Sequence, residues 1–203
     1  MKLYYSPGAC SLSPHVVLRE AGFDFTIEKV DPKSKQTASG EDYLAINPLG
    51  YVPALLLDDG SVLLEGPAIV QYLADQKPEL GLAPPAGSMA RYTLMQWLNF
   101  ISTELHKSYT LLFDRNAPGE VKTQLRAKLA TRFAYLETRL AAQPFVLGQA
   151  FSVADAYLFT VLSWNRYVGI ELETWPALKN YVQQIAARPS VQAALQAEGL
   201  LRK

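Results

Sequence analysis

The sequence contains few of the residues that build covalent cross-links or metal sites. Its 203 residues include a single cysteine, Cys10, and only two histidines. One cysteine excludes an internal disulfide and a cysteine-cluster metal site. Two histidines far apart in the chain, without a nearby ligand pattern, argue against a zinc site. We therefore expect no bound metal.

Net charge and long hydrophobic runs are also missing. The 19 basic residues balance 19 acidic ones, which leaves no net positive field to attract a nucleic acid or an anionic membrane. Apolar runs such as 54–57 are too short to span a bilayer, and residues 1–5 lead directly into Ser6-Pro7-Gly8 without the apolar region of a signal peptide. These absences predict a soluble, cytoplasmic protein that binds neither nucleic acid nor membrane.

Charge and composition change partway along the chain. Hydrophobic residues make up 49% and charged residues 19% of the sequence, as in an ordinary globular protein. The net charge is −5 over residues 1–80 and +5 over the remainder. The stretch 77–88 is rich in proline and glycine, which helices and strands exclude. We predict one domain over 1–80, a linker over 81–88 and a second domain over 89–203.

The first domain alternates short extended runs with helical ones. A proline in the first turn and a glycine at the end delimit a helix from about 13 to 21. Two apolar runs separated by Asp58-Asp59-Gly60 predict a hairpin. The predicted elements are strands at 3–5, 25–30, 54–57 and 61–64, and helices at 13–21 and 66–76. This order predicts an α/β layer of the thioredoxin-like type.

The second domain shows only helical periodicity. Leu94, Leu98, Ile101 and Leu105 fall on one helical face, and similar apolar faces follow around 125–140 and 178–185. Ser152 and Asp155 have the spacing of a capping box that starts a buried helix. The sequence therefore predicts an all-α domain.

Cys10 lies between a predicted strand and a predicted helix, where two interpretations stay open. The first amides and the dipole of the helix would favour a reactive thiolate. Only about 3% of an ordinary thiol is ionised at pH 7, so a lower pKa would increase the fraction present as the nucleophilic thiolate several-fold. The pattern Cys10-Ser11-Leu12-Ser13 has serine where a dithiol enzyme keeps its resolving cysteine. Alternatively, Cys10 is a small, inert core residue.

Two dipeptides have the chemistry of a peptide-binding site. A cis Val52–Pro53 bond would turn the backbone of Val52 outward to pair with a peptide ligand, although the sequence alone favours a plain trans turn. Glu65-Gly66 opens a helix, whose N-terminal amides attract a carboxylate while Glu65 attracts an ammonium group. The alternative for Glu65 is simple stabilisation of the helix start.

For His15 and His106, a surface position is the default expectation.

Five stretches of the chain together, in this order, resemble the glutathione S-transferases, specifically the bacterial beta class. The resemblance extends over the whole length. The stretches are KLYYSPGACSL at 2–12, NPLGYVPAL at 47–55, LEGPAIVQYLAD at 64–75, WLNFISTELHK at 97–107 and SVADAYLF at 152–159.

The resemblance implies a thioredoxin-like N-terminal domain, an all-helical C-terminal domain and a homodimer. It implies conjugation of glutathione to hydrophobic electrophiles, with glutathione as a substrate and no tightly bound cofactor. Catalytic roles fall to Cys10 and His106 near the glutathione sulfur. Val52 would pair with the cysteinyl backbone beside a cis Pro53, Glu65 and Gly66 would hold the γ-glutamyl end, and Lys35 would reach the glycyl carboxylate. The other implied glutathione-site residues are Asn99, Thr103, Glu104 and Leu105, with Thr103 and Glu104 reaching across the dimer interface.

One departure and three open assignments accompany this resemblance. The family commonly has Ser or Thr where this chain has Gly66, so a hydroxyl bond worth about 1 kcal/mol would be missing. Phe113, Trp164 and Tyr167 are candidates for the hydrophobic co-substrate site, with core packing as the alternative. Two other functions stay open: thiol–disulfide exchange or reductive dehalogenation by Cys10, and a non-catalytic ligand-binding scaffold.

Overall fold

The computed structural model describes residues 1–201 and divides the chain into two units. One unit comprises 1–83 together with the segment that begins at Arg188, and the other comprises 84–187. The composition of the chain predicted instead that the C-terminal segment belongs to a helical domain over 89–203. The structure packs its helix α9 (Pro189–Ala197) against α1 (Leu12–Glu20), with Val191 and Ala194 fully buried.

The first unit contains a four-stranded mixed sheet. Its strands are β1 (Lys2–Tyr5), β2 (Thr26–Lys29), β3 (Ala54–Leu56) and β4 (Val62–Leu64), in the order β2-β1-β3-β4. β1 runs parallel to β2 and antiparallel to β3, and β3 is antiparallel to β4. Leu3 on the central strand β1 pairs with Ile27 on one side and Leu55 on the other. The predicted thioredoxin-like layer is confirmed.

Three α-helices accompany this sheet. They are α1, α2 (Gly66–Gln76) and α9, of which α9 had no place in the predicted layer. Fully buried leucine, isoleucine and valine side chains from the sheet and helices form the core: Leu3, Val16, Val17, Leu55, Ile69 and Leu73. The Pro/Gly-rich segment also contains a single 3₁₀ turn at Pro78–Leu80, which ends at Gly81 with a φ of +65°.

The second unit is composed of helices and the loops that connect them. Its α-helices are α3 (Met89–Phe100), α4 (Lys107–Phe113), α5 (Gly119–Ala142), α6 (Val153–Leu162), α7 (Asn165–Val168) and α8 (Pro176–Ala186). A π-helical segment, Ile101–His106, joins α3 to α4. The predicted face formed by Leu94, Leu98, Ile101 and Leu105 is buried. Within residues 1–201, no helix combines the length and hydropathy needed to cross a membrane.

The capping box at the start of α6 is confirmed. The Asp155 carboxylate accepts the amide of Ser152 at 2.9 Å and its hydroxyl at 2.7 Å. It also accepts the amide of Val146 at 2.9 Å and the hydroxyl of Tyr181 at 3.0 Å. Because Asp155 is fully buried, these four donors replace the water that the carboxylate loses on folding. Asp155 therefore joins α6 to α8 and to the loop before α6.

Candidate active site

Cys10 occupies the turn between β1 and α1, and its side chain is half-buried. Its thiol donates to the carbonyl oxygen of Val52 at 3.2 Å, which brings together two residues that are 42 positions apart. The amides of Leu12 and Ser13 donate to the carbonyls of Ala9 and Cys10 at 3.0 and 3.2 Å. These two helix-start amides are therefore directed at backbone carbonyls, and the predicted support for a thiolate rests on the helix dipole.

The loop that carries Val52 is held from inside the unit. The side-chain amide of Asn47 and the hydroxyl of Tyr43 both donate to the carbonyl of Tyr51, at 2.7 and 2.8 Å. The Val52–Pro53 bond is cis, as the resemblance implies. Burial raises the pKa of Tyr43 to about 12, which keeps its hydroxyl protonated and able to donate. The sequence predicted no role for Tyr43, which joins Asn47 in holding this loop.

Lys35 lies beside the same loop. Its backbone has a φ of +58°, and its ammonium group donates to the carbonyl of Gly50 at 2.9 Å. The same nitrogen lies 5.8 Å from the centre of the Tyr51 ring. Lys35 is therefore anchored two residues from Val52, and its ammonium group keeps further donors for an anionic ligand.

Glu65 and Gly66 form the start of α2. Glu65 has a φ of +66° and an exposed side chain, and its carbonyl accepts the amides of Ala68 and Ile69 at 3.0 and 2.9 Å. Pro67 has no amide hydrogen, so the Gly66 N–H is the donor left for a ligand in this first turn. A β-carbon added to Gly66 would lie 3.8 Å from Cγ of Pro53. Gly66 and the cis proline are thus neighbours.

The predicted glutathione-site residues of α3 and the π-helical segment have different environments. Asn99 and Thr103 are exposed, and the Thr103 hydroxyl donates to the Asn99 carbonyl at 2.9 Å. The Leu105 side chain is fully buried and belongs to the helical core.

Glu104 is engaged with basic residues of its own chain. Its carboxylate accepts Nε and Nη2 of Arg132 at 2.9 and 2.7 Å, and Nζ of Lys128 lies 3.5 Å away. The Arg132 guanidinium beside it lowers the pKa of Glu104, so the side chain is ionised at neutral pH.

His106 lies at the end of the π-helical segment, where its ring is enclosed by aromatic side chains. Its Nδ1 is 2.7 Å from the hydroxyl of Tyr157, and its ring centre lies 4.8 Å from that of Trp164. Burial, with a smaller contribution from the charge of Lys107, lowers the pKa of His106 to about 4. His106 is therefore half-buried, less exposed than the default expectation of a surface histidine, and it is uncharged at neutral pH.

The three aromatic candidates for the co-substrate site divide into two environments. Trp164 is 5% exposed and packs edge-on against His106, Tyr109 and Phe113, while Phe113 is 45% exposed. Trp164 therefore packs in the core, which was the alternative to a role in the co-substrate site. Tyr167 is 55% exposed on α7, where its oxygen accepts Nη2 of Arg166. Phe113 and Tyr167 thus offer aromatic surface to a ligand.

His15 has a role that the sequence analysis missed. It is fully buried, contrary to the expected surface position, and its Nδ1 lies 2.8 Å from Oε1 of Glu198. The other Glu198 oxygen accepts the amide of Gly8 at 2.9 Å, and Arg19 Nε donates to His15 Nε2 at 3.0 Å. This network ties the end of α9 to the loop before Cys10. Because His15 and Glu198 are 183 positions apart, no local sequence pattern indicates their pairing.

The structure thus brings the predicted residues together in two groups, one in each unit. Cys10, Val52, Pro53 and Gly66 are neighbours in the first unit. His106, Phe113 and Trp164 are neighbours in the second. Within the part of the chain that the structure describes, no group of three or more His, Cys, Asp or Glu side chains could hold a metal ion.

A thioredoxin-like domain followed by a helical domain is the fold of the glutathione S-transferases. Residues 8–76 match the family model of the glutathione S-transferase N-terminal domain, and residues 100–189 match that of the C-terminal domain. The chain therefore belongs to the glutathione S-transferase family, as its sequence patterns predict.

Individual relatives agree over nearly the whole length. Glutathione S-transferase GstA of Escherichia coli O157:H7 is 50% identical, covering 98% of this chain and 100% of the relative. The structure of a sphingomonad glutathione S-transferase complexed with glutathione is 49% identical, with a TM-score of 0.95 and coverage of 99% and 100%. The beta-class enzyme of Sphingomonas chungbukensis is 46% identical, with the same TM-score and coverage. These matches confirm the predicted fold and the resemblance to the beta class.

Proposed function

We propose that this protein conjugates glutathione to hydrophobic electrophiles, using Cys10, Val52, Pro53 and Gly66 as the centre of its glutathione site. The observation that carries the proposal is the contact between the Cys10 thiol and the Val52 carbonyl, 3.2 Å apart. It places a thiol beside a backbone segment suited to pairing with a peptide. Membership of the glutathione S-transferase family identifies that peptide as glutathione.

Each end of the tripeptide has a complementary group nearby. The Gly66 amide would donate to the γ-glutamyl carboxylate, and the exposed Glu65 carboxylate would receive its ammonium group. Val52 would pair with the cysteinyl backbone. Lys35, anchored at Gly50, would bind the glycyl carboxylate. This arrangement would direct the glutathione sulfur towards Cys10.

The reaction needs a sulfur nucleophile and a held electrophile. The glutathione thiol loses its proton to solvent, and the resulting thiolate attacks an electrophilic carbon. A carbon–sulfur bond forms, and the bond to the leaving group breaks with its electron pair. Cys10 and His106 would stabilise the thiolate by hydrogen bonds, and Phe113, Trp164 and Tyr167 would bind the apolar co-substrate.

A second copy of the chain is part of this proposal. The exposed side chains of Met89, Tyr92 and Met95 lie along α3, and Asn99 and Thr103 continue along the chain from them. A second copy packed on this face would bury apolar surface. Thr103 and Glu104 of one copy would then approach the glutathione site of the other copy. Sedimentation should give a dimer that Tyr92→Asp weakens, whereas Gln183→Asp on the exposed side of α8 should not. A monomeric wild-type protein would contradict the assembly.

Calorimetric titration with glutathione tests the glutathione site directly. We expect heat of association for the wild-type protein and weaker binding for Glu65→Gln, which cannot neutralise the γ-glutamyl ammonium group. Glu79→Gln, an exposed carboxylate outside the site, is the matched control and should bind as the wild type does. Absence of binding by the wild-type protein, with reduced and with oxidised glutathione, would refute the proposal.

Thiol–disulfide exchange is a second candidate, favoured by the partly exposed side chain of Cys10, the single cysteine of the sequence. The Cys10 thiolate would attack the glutathione sulfur of a mixed disulfide between glutathione and another thiol, form a Cys10–glutathione disulfide and release the other thiol as its thiolate. The thiolate of a second glutathione would then attack that disulfide, release the Cys10 thiolate and leave as glutathione disulfide. A reductive dehalogenase would use the same cysteine, whereas a scaffold would bind glutathione without turnover. Mass spectrometry for an adduct on Cys10, followed by assays with disulfide and chlorinated substrates, separates these functions.

The compartment follows from the substrate. We place the protein in the cytoplasm, where a reduced glutathione pool is available and a lone cysteine stays reduced.

A further inference from the structure

The hydrogen bond between His106 and Tyr157 joins a proposed catalytic side chain to a residue that has no assigned role. Tyr157 lies on α6 and is 2% exposed, and its hydroxyl oxygen is 2.7 Å from Nδ1 of His106. The bond uses the ring nitrogen nearer the backbone. It therefore leaves Nε2, the outer nitrogen of the ring, for another contact.

The direction of this bond is set by the acidity of its two partners. A neutral imidazole carries one hydrogen, and each of its nitrogens is either a donor or an acceptor. Burial holds the pKa of His106 near 4, so the ring is neutral at pH 7. A phenol is a much stronger acid than a neutral imidazole N–H, and the imidazole lone pair is a good acceptor. The favoured arrangement has the tyrosine hydroxyl donating to Nδ1.

We propose that Tyr157 is a positioning residue that fixes His106 in the tautomer with its hydrogen on Nε2. This inference rests on the proposed function, in which His106 acts at the glutathione sulfur. With the hydrogen on Nε2, the outer edge of the ring is a donor to a thiolate. With the hydrogen on Nδ1, the same edge would present a lone pair to the negative sulfur and repel it.

The surroundings hold both partners of the bond in place. The ring of Trp164 packs against that of His106 with centres 4.8 Å apart and planes at 69°. Tyr157 is one turn into α6, whose start is fixed two residues earlier by the buried Asp155. The phenol oxygen therefore has a fixed position, and rotation of the imidazole by half a turn would sacrifice the 2.7 Å bond.

NMR of the ¹⁵N-labelled protein tests the tautomer without any assay of activity. The chain has two histidines, and two-bond couplings between ring nitrogens and carbon-bound protons distinguish the two tautomers. His15 is an internal reference, because its Nε2 accepts from Arg19 and its hydrogen is therefore on Nδ1. We expect the opposite pattern for His106 at pH 7. A His106 protonated on Nδ1 would overturn the inference, whether or not the protein turns over glutathione.

A matched pair of variants tests the role of the hydroxyl. Tyr157→Phe should convert the His106 signals to a mixture of tautomers. Tyr109→Phe removes the hydroxyl of another buried tyrosine, which donates to Asn165 at 2.6 Å, and should leave the His106 signals unchanged. Unchanged His106 signals in Tyr157→Phe would contradict the proposal. Signals that change equally in both variants would also contradict it, because the effect would then be general loosening of the core.

Kinetics separate positioning from structural support. Tyr157→Phe should lower kcat about tenfold with little change in the KM for glutathione, because the donor acts on the thiolate. The side chain of Gln offers an N–H donor that needs no tautomer. In the His106→Gln background, Tyr157→Phe should therefore change kcat less than twofold. An equal loss in both backgrounds would make Tyr157 merely structural. Absence of glutathione turnover by the wild type would instead refute the proposed function and leave the NMR result standing.

Discussion

The thiol of Cys10 lies 3.2 Å from the carbonyl oxygen of Val52, although a turn, a helix and a strand separate the two residues in the chain. This contact joins the loop before α1 to the loop before β3. Gly66, at the start of α2, approaches the same point through its neighbour Pro53. Three backbone segments therefore converge in the first unit, as a site for a small peptide requires.

Replacement of Cys10 distinguishes a supporting role from a nucleophilic one. Cys10→Ala should abolish any mixed disulfide with glutathione, because no other cysteine is present. It should lower kcat/KM for conjugation less than tenfold, because the attacking sulfur belongs to glutathione. Cys10→Ser keeps a donor for the Val52 carbonyl and is the matched control. Loss of every glutathione-dependent activity in Cys10→Ala, with binding intact, would show that Cys10 is the nucleophile.

Addition of a hydroxyl at position 66 should strengthen glutathione binding. A β-carbon on Gly66 would meet only Cγ of Pro53, at 3.8 Å, which is ordinary van der Waals contact. Gly66→Ser would therefore fit and supply a hydrogen bond to the γ-glutamyl carboxylate, worth about 1 kcal/mol or about fivefold in Kd. Gly66→Ala adds the β-carbon alone and is the control for calorimetry. Equal affinities of the two variants for glutathione would show that the hydroxyl does not contribute to binding.

The first unit was predictable because its signals are local. The Asp58-Asp59-Gly60 turn and the alternating strands around it specify the hairpin, and Gly66 begins α2 where the sequence indicates. The position of α9 was not predictable in this way. It involves contacts between residues far apart in the chain, such as Glu198 and His15, which are 183 positions apart, and no local pattern encodes such a partner.

In the candidate site, too, features with a local sequence pattern were predicted and features that depend on distant residues were not. Cys10, Val52 and Gly66 were predicted as site residues because each lies in a stretch that resembles the family, and the structure brings the three close together. The enclosure of His106 was missed because it depends on Tyr157 and Trp164, which come from another part of the helical unit. The π-helical segment was also missed. The spacing of Leu94, Leu98, Ile101 and Leu105 is that of an ordinary α-helix and gives no sign of a π-helical turn.

Removal of the Asp155 carboxylate should destabilise the helical unit severely. Asp155→Ala would leave the amides of Val146 and Ser152 and the hydroxyl of Tyr181 without their buried acceptor. We expect a loss of about 3 to 5 kcal/mol in the free energy of unfolding, measured by urea denaturation. Asp114→Ala is the control, because that exposed carboxylate accepts only from the nearby amide of Asn116 among the hydrogen bonds described. A loss below about 1 kcal/mol for Asp155→Ala would mean that water replaces the carboxylate.

The half-buried His106 should make the protein less stable in mild acid. Its pKa is about 4 in the folded chain and about 6.5 when unfolded, so the unfolded chain binds a proton first as pH falls. Between pH 6.5 and 4 this should reduce the free energy of unfolding progressively, by at most about 3 kcal/mol, with no effect at higher pH. His106→Gln cannot take up this proton, and urea denaturation of the two proteins at pH 7 and pH 4.5 isolates the effect of position 106. Parallel losses of stability in both proteins would show that His106 protonates equally well in the folded chain, and its ring would then be accessible to water.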